Sequence, residues 1–210
     1  MANGEVASDD TKAGRLLVIA CGMLAREILD IKDRNRLSHV DLTCLPAQYH
    51  FEPQKIPDAM RAAIREAKAQ GYTAILAGYG DCGTGGLLDV VLAEEGAGRI
   101  AGPHCFAFYQ GMVSFARHEA GDMTSFYFTD FLVRNFRTFF VEPLGLDRHP
   151  ELMKDYFGHY ERVIYLAQTD DPELDRQARE AARWLGLAYE RRLTGYGDLE
   201  TKIAAASVTR

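Results

Sequence analysis

Short apolar runs bounded by glycine or proline alternate along the chain with segments whose apolar residues recur every three or four positions. Residues 16–20, followed by Cys21-Gly22, read as a strand buried on both faces and stopped by a turn. Residues 23–33 repeat Leu24, Ile28 and Ile31 at helical spacing, and residues 39–45 form a second strand candidate. Residues 57–70 open on a helix-start proline, carry Met60, Ile64 and Ala67 on one face, and stop at Gly71. Residues 74–77 predict a third strand, and a glycine-dense loop over 78–86 joins it to a helix over 87–95.

The second half continues the alternation. An aromatic helix is predicted over 106–118, a strand over 124–128, helices over 131–140 and 150–160, and a buried strand over 163–167. Asp171 and Pro172 supply a cap and first turn for a helix over 173–185, closed by Gly186. A last strand over 188–193 and a helix after Gly197 end the chain, the helix fraying over 207–210. Strands alternating with helices predict an α/β protein, a mostly parallel sheet with helices on both faces. A disordered tail over residues 1–13 precedes a single compact domain over 14–206.

Composition narrows the function classes. Apolar residues at 47% and charged residues at 26% exclude a disordered chain. A net charge of -6 offers no basic field for phosphates, so no nucleic-acid partner is expected. The longest apolar run, residues 16–25, is far short of the roughly 20 residues of a membrane span. No basic, apolar leader precedes it, so a cytoplasmic location is expected. Nine of the eleven phenylalanines fall between Phe106 and Phe140, read as core, with a pocket wall or docking face as the other option.

Four cysteines are too few for a disulfide scaffold in a chain of this length. In parallel α/β sheets ligands sit beyond the carboxyl ends of strands. Cys21 and Cys82 fall at such ends, and Cys105 at a turn into a helix. Three thiolates leave one position open on tetrahedral zinc, or one iron of a four-iron cluster without a protein ligand. Inert packing of the same residues is the alternative, because no Cys-x-x-Cys spacing occurs. Cys44, inside the second strand, is expected to pack and is left out.

Gly83, Gly85 and Gly86 permit positive φ and offer backbone N–H groups to an anion, the rival being a plain tight turn. The acid/base candidates are His104, His50 and the strand-end carboxylates Asp81, Asp130 and Asp170, though Asp is also an ordinary helix cap.

The segments Ala20-Cys21-Gly22-x-Leu24-Ala25-Arg26-Glu27, Tyr79-Gly80-Asp81-Cys82-Gly83-Thr84-Gly85-Gly86-Leu87, Gly102-Pro103-His104-Cys105, residues 144–151 and residues 165–170 together resemble one family. It is the bacterial and archaeal family catalogued as domain of unknown function 1638, and the likeness spans residues 15–200. Cys21, Cys82 and Cys105 fall inside its motifs, which makes a shared thiolate site the leading expectation. The resemblance also implies genes neighbouring corrinoid-dependent methyltransferase components. The expected function is therefore a thiolate-ligated metalloprotein supporting corrinoid-linked methyl transfer, with an iron–sulfur cluster preferred to zinc. A small-molecule ligand and a corrinoid protein or methyltransferase are the expected partners. A non-catalytic accessory protein binding such a component is the rival.

Overall fold

The computed structural model describes residues 12–118 and 120–208. Strand β1 (Leu16–Cys21) is buried along its whole length because it lies between two parallel neighbours, β2 (Val40–Leu45) and β3 (Ala74–Gly78). With the two-residue β4 (Gly98–Arg99) they form one sheet in the order β2-β1-β3-β4. A second sheet has the order β5-β6-β7, from β5 (Ser125–Thr129), β6 (Arg162–Ala167) and β7 (Ala188–Leu193), again all parallel. The central strand β6 is fully buried from Val163 to Ala167. The α/β class and the parallel pairing are as expected, and the strands divide between two sheets.

Helices cover both sheets. In the first half they are α1 (Ala25–Arg34), α2 (Ile56–Ala69), α3 (Leu87–Glu94), α4 (Cys105–Gln110) and α5 (Met112–His118). α6 (Asp130–Arg134), α7 (Leu152–Phe157), α8 (Pro172–Trp184) and α9 (Gly197–Val208) follow. α2 buries Ile56, Met60, Ile64 and Ala67, the stripe its spacing predicts. The Asp171 carboxylate accepts from the N–H of Glu173 at 2.9 Å and Leu174 at 3.3 Å, capping α8 as expected. α9 returns to pack on α1, α4 and β1, so the end of the chain braces the first sheet.

Several boundaries differ from the sequence reading. The helix expected over 106–118 breaks at Gly111, whose φ of +78° leaves the helical region. The freed N–H of Met112 then donates to Asp198 on α9 at 2.8 Å. The helix expected over 131–140 begins at Asp130, where Thr129 caps it, and gives way to a π-helical stretch over Phe136–Val141. Only Leu152–Phe157 of the helix expected over 150–160 forms. β4 was hidden by its glycine. Of the tail expected over 1–13, residues 1–11 lie outside the described residues, while Lys12 pairs with Asp41 at 3.6 Å.

The phenylalanines mostly build core. Phe126, Phe140 and Phe157 pack ring against ring with centroids 5.3–5.4 Å apart beside the second sheet. Phe106 and Phe139 instead flank His50, beside the carboxyl end of the first sheet.

Candidate functional site

Because β1 and β3 run parallel and in register, with Ala20 opposite Gly78, their carboxyl ends open side by side. Cys21 ends β1, and the loop from Tyr79 to Gly86 leaves β3. This loop is laced to the segment before α4. Asp81 N–H donates to the Gly102 carbonyl at 2.9 Å, and Cys82 N–H donates to the Pro103 carbonyl at 2.8 Å. Gly80 makes the contact possible, since a Cβ there would stand 2.8 Å from the His104 backbone. The lacing brings the Cys82 and Cys105 sulfurs to 3.5 Å.

Cys82 reaches this position with φ of +49°, in the left-handed region that a residue bearing a Cβ avoids. Holding it there costs about 1–3 kcal/mol, and such strain collects at functional sites. Cys21, Cys82 and Cys105 all line one cavity of about 240 Å³. Met23, Leu24, Ile56 and Phe106 give it an apolar wall, and Thr129 reaches it from the second sheet.

The thiols differ in acidity. Burial pushes Cys21 up to about 11. A hydrogen bond from the Cys105 thiol lowers the Cys82 pKa, and the same bond together with burial raises Cys105 well above the ordinary range. The pair therefore gives up its first proton more readily than its second. Tyr79, buried beside Cys21, has its hydroxyl proton held tightly by burial, and its oxygen lacks a hydrogen bond of good geometry. His50 stands on the rim, crowded by Phe51, Phe106 and Phe139, and loss of hydration lowers its pKa.

The chain's own geometry tests whether a metal fits. Two sulfurs at about 2.3 Å from one tetrahedral ion lie about 3.8 Å apart, so the Cys82–Cys105 pair is near the spacing of two ligands on one ion. In a four-iron cluster each thiolate caps its own iron and the caps diverge, which spreads the sulfurs further. Among the described residues no group of three or more His, Cys, Asp or Glu side chains stands ready to hold a metal. The pair is preformed; Cys21 lines the same cavity without completing a triangle.

The other expected site residues separate. His104 lines the cavity, its ring edge-on to Phe115 at 5.0 Å, and Gly83 lines it too. Gly85 and Gly86 do offer N–H groups to an anion, but that anion is the Asp81 carboxylate, at 3.2 and 2.7 Å. Asp81 also accepts from the Thr84 hydroxyl at 3.0 Å, so it braces the loop and lies outside the cavity lining. Asp170 is an exposed partner of Arg191 at 2.7 Å and lines a different, polar cavity. Cys44 is exposed, contrary to the expected packing role, because β2 is an edge strand with its outer residues open. Gly80, Tyr79, Tyr109 and Thr129 were not singled out from sequence. For Gly80 the signal was available, as a glycine two residues before a cysteine in a strand-end loop.

The chain belongs to the family described as Protein of unknown function (DUF1638), whose model matches residues 44–203. The matched segment contains Cys82 and Cys105 and begins after Cys21. No curated protein and no solved structure matches the chain. No helix among the described residues is long and apolar enough to cross a membrane.

Proposed function

We propose that the protein is a thiolate-ligated metal protein in which Cys82 and Cys105 hold a single ion and Cys21 closes on it as the third ligand. The observation that carries this reading is the 3.5 Å spacing of two sulfurs, one of them on a strained backbone, in a cavity beyond the strand ends. The spacing favours one ion, zinc being the natural choice for thiolates, over the four-iron cluster expected from sequence alone. A bound ion would supply a Lewis-acidic position able to activate a thiol or water.

The surrounding residues define what meets that position. The apolar wall excludes bulk water, which strengthens every charge interaction inside. His50, with its lowered pKa, is a neutral proton acceptor at the rim. About 240 Å³ is below the roughly 300–1,000 Å³ that accommodates drug-sized ligands. That volume suits a one-carbon donor or small thiol. A corrin ring would stay on a partner protein, consistent with a role in corrinoid-linked methyl transfer.

Anaerobic purification followed by metal and sulfide analysis tests the reading. One zinc per chain without sulfide is expected; iron with equimolar sulfide restores the cluster; a metal-free chain that still binds a corrinoid methyltransferase component favours the accessory role.

The same pair supports a second reading, a dithiol that oxidises to a disulfide. Both thiols would lose a proton and together two electrons to a disulfide oxidant such as oxidised glutathione. Loss of two free thiols from the wild type, and of none from Cys105→Ser beyond mixed disulfide at Cys82, would establish it.

A further inference from the structure

The carboxyl end of the second sheet and one face of α1 enclose a second cavity of about 460 Å³. Its lining is polar where the thiol cavity is apolar, with Glu27, Asp30 and Asp33 from α1 facing Asp130 and Thr169. Most of its charges are already matched. Asp130 accepts from the Tyr165 hydroxyl at 2.6 Å, the Gln168 N–H at 3.0 Å and the Thr169 hydroxyl at 2.6 Å, with Arg134 at 3.6 Å. Asp30 accepts from Tyr196 and pairs with Arg34 at 3.7 Å, and Asp170 pairs with Arg191.

Glu27 is different. It is 3% exposed, it lines the cavity, and its buried Oε2 accepts no hydrogen bond. A buried carboxylate oxygen with no donor is costly, and a ligand that brings a donor removes that cost. Burial, and then the neighbouring Asp130, raise the Glu27 pKa against the smaller opposing pull of Arg134 and Arg26.

We propose that this cavity binds a small organic cation whose N–H groups donate to Glu27 Oε2, an alkylammonium in chemical class. A metal ion is disfavoured because Asp30, Asp130 and Asp170 already hold partners, which leaves Glu27 as the buried carboxylate of the lining with an unmatched oxygen. The volume also exceeds what a bare ion fills. An anion is disfavoured because the unmatched group is itself a carboxylate. Arg26 also lines the cavity, but it is exposed and screened by solvent, whereas Glu27 is not. The two cavities are neighbours along the chain, Thr129 lining the thiol cavity and Asp130 this one. The ammonium site stands independently of the metal reading.

Isothermal titration of the full chain at low ionic strength with n-butylammonium, tetramethylammonium and butyrate tests the proposal. n-Butylammonium is expected to bind in the millimolar range or tighter. Tetramethylammonium, which has no N–H, should bind at least tenfold more weakly, and butyrate should give no heat of binding. Glu27→Gln should weaken n-butylammonium at least tenfold, while Cys82→Ser leaves it unchanged. Should Glu27→Gln fail to fold, the contrast between n-butylammonium and tetramethylammonium carries the test. Absence of n-butylammonium binding, equal binding of butyrate or tetramethylammonium, or a folded Glu27→Gln that binds like the wild type would each overturn it.

Discussion

The carboxyl ends of the two sheets occupy the same topological place and are built from opposite chemistries. Beyond β5 and β6, Asp130 is wholly buried and its carboxylate takes three hydrogen bonds, while its own N–H donates to the Gln168 side chain at 2.7 Å. Beyond β1 and β3 the corresponding ground holds three thiols, a tyrosine hydroxyl without a well-formed hydrogen bond, and a cysteine with positive φ. At the second sheet the strand-end carboxylate itself is saturated, the unmatched Glu27 there coming from the facing α1; at the first sheet the strand-end residues themselves keep strain and unused bonding capacity. A fold stabilised by its second sheet can tolerate a first-sheet loop shaped for binding.

Removing the saturated end should have the largest effect. Asp130→Ala leaves three donors without their acceptor at the junction of β5, α6 and β6, and should cost about 3–5 kcal/mol in a urea melt. A loss below about 1 kcal/mol would show that the network is not what holds that end together.

The thiol end should respond to alkali instead. Cys21 releases its proton at about 11 when folded against an ordinary 9.0. Between those values the folded chain keeps a proton that the unfolded chain gives up. The stability of the metal-free protein should therefore be intact below pH 9 and fall by roughly 2–3 kcal/mol as pH rises towards 11. Urea midpoints across this window measure it, and Cys21→Ala should flatten the fall. Next comes Gly80→Ala, which forces a Cβ onto the His104 backbone and should cost about 1–3 kcal/mol while separating the Cys82 and Cys105 loops. A Gly80→Ala chain with wild-type stability and metal content would remove the lacing from the account. The smallest effect has the opposite sign: Cys82→Gly relieves the left-handed strain and should stabilise the metal-free chain by about 1 kcal/mol.

The contrast also marks what the sequence made legible. Periodicity located β1, β6, α2 and α8, because each buries a continuous or regularly spaced set of apolar residues. It missed the break at Gly111 and the π-helical turn at Phe136–Val141, where a backbone departure is compensated by distant groups such as Asp198. Nothing local divides the strands between two sheets, because pairing depends on long-range closure. At the site, strand-end position raised Cys21 and Cys82 and a turn into a helix raised Cys105, but only the family resemblance made one shared site of them; all three line one cavity. The sequence left the anion for the glycine nest unnamed, because nothing local shows that Asp81, inside the same loop, turns back on it. Glu27 was invisible: one carboxylate on the inner face of a helix reads like any solvated one until its burial is known.

The central claim, that Cys82 and Cys105 act as a pair on one ion with Cys21 as third ligand, is tested most directly by titrating cobalt(II) into the reduced chain without oxygen. The sulfur-to-metal charge-transfer absorption is followed in the wild type and the four single Cys→Ser variants. One equivalent should saturate the wild type and Cys44→Ser, with the band lost in Cys82→Ser and Cys105→Ser and weakened in Cys21→Ser. A band of equal strength in Cys82→Ser and Cys105→Ser, or none in the wild type, would contradict the account.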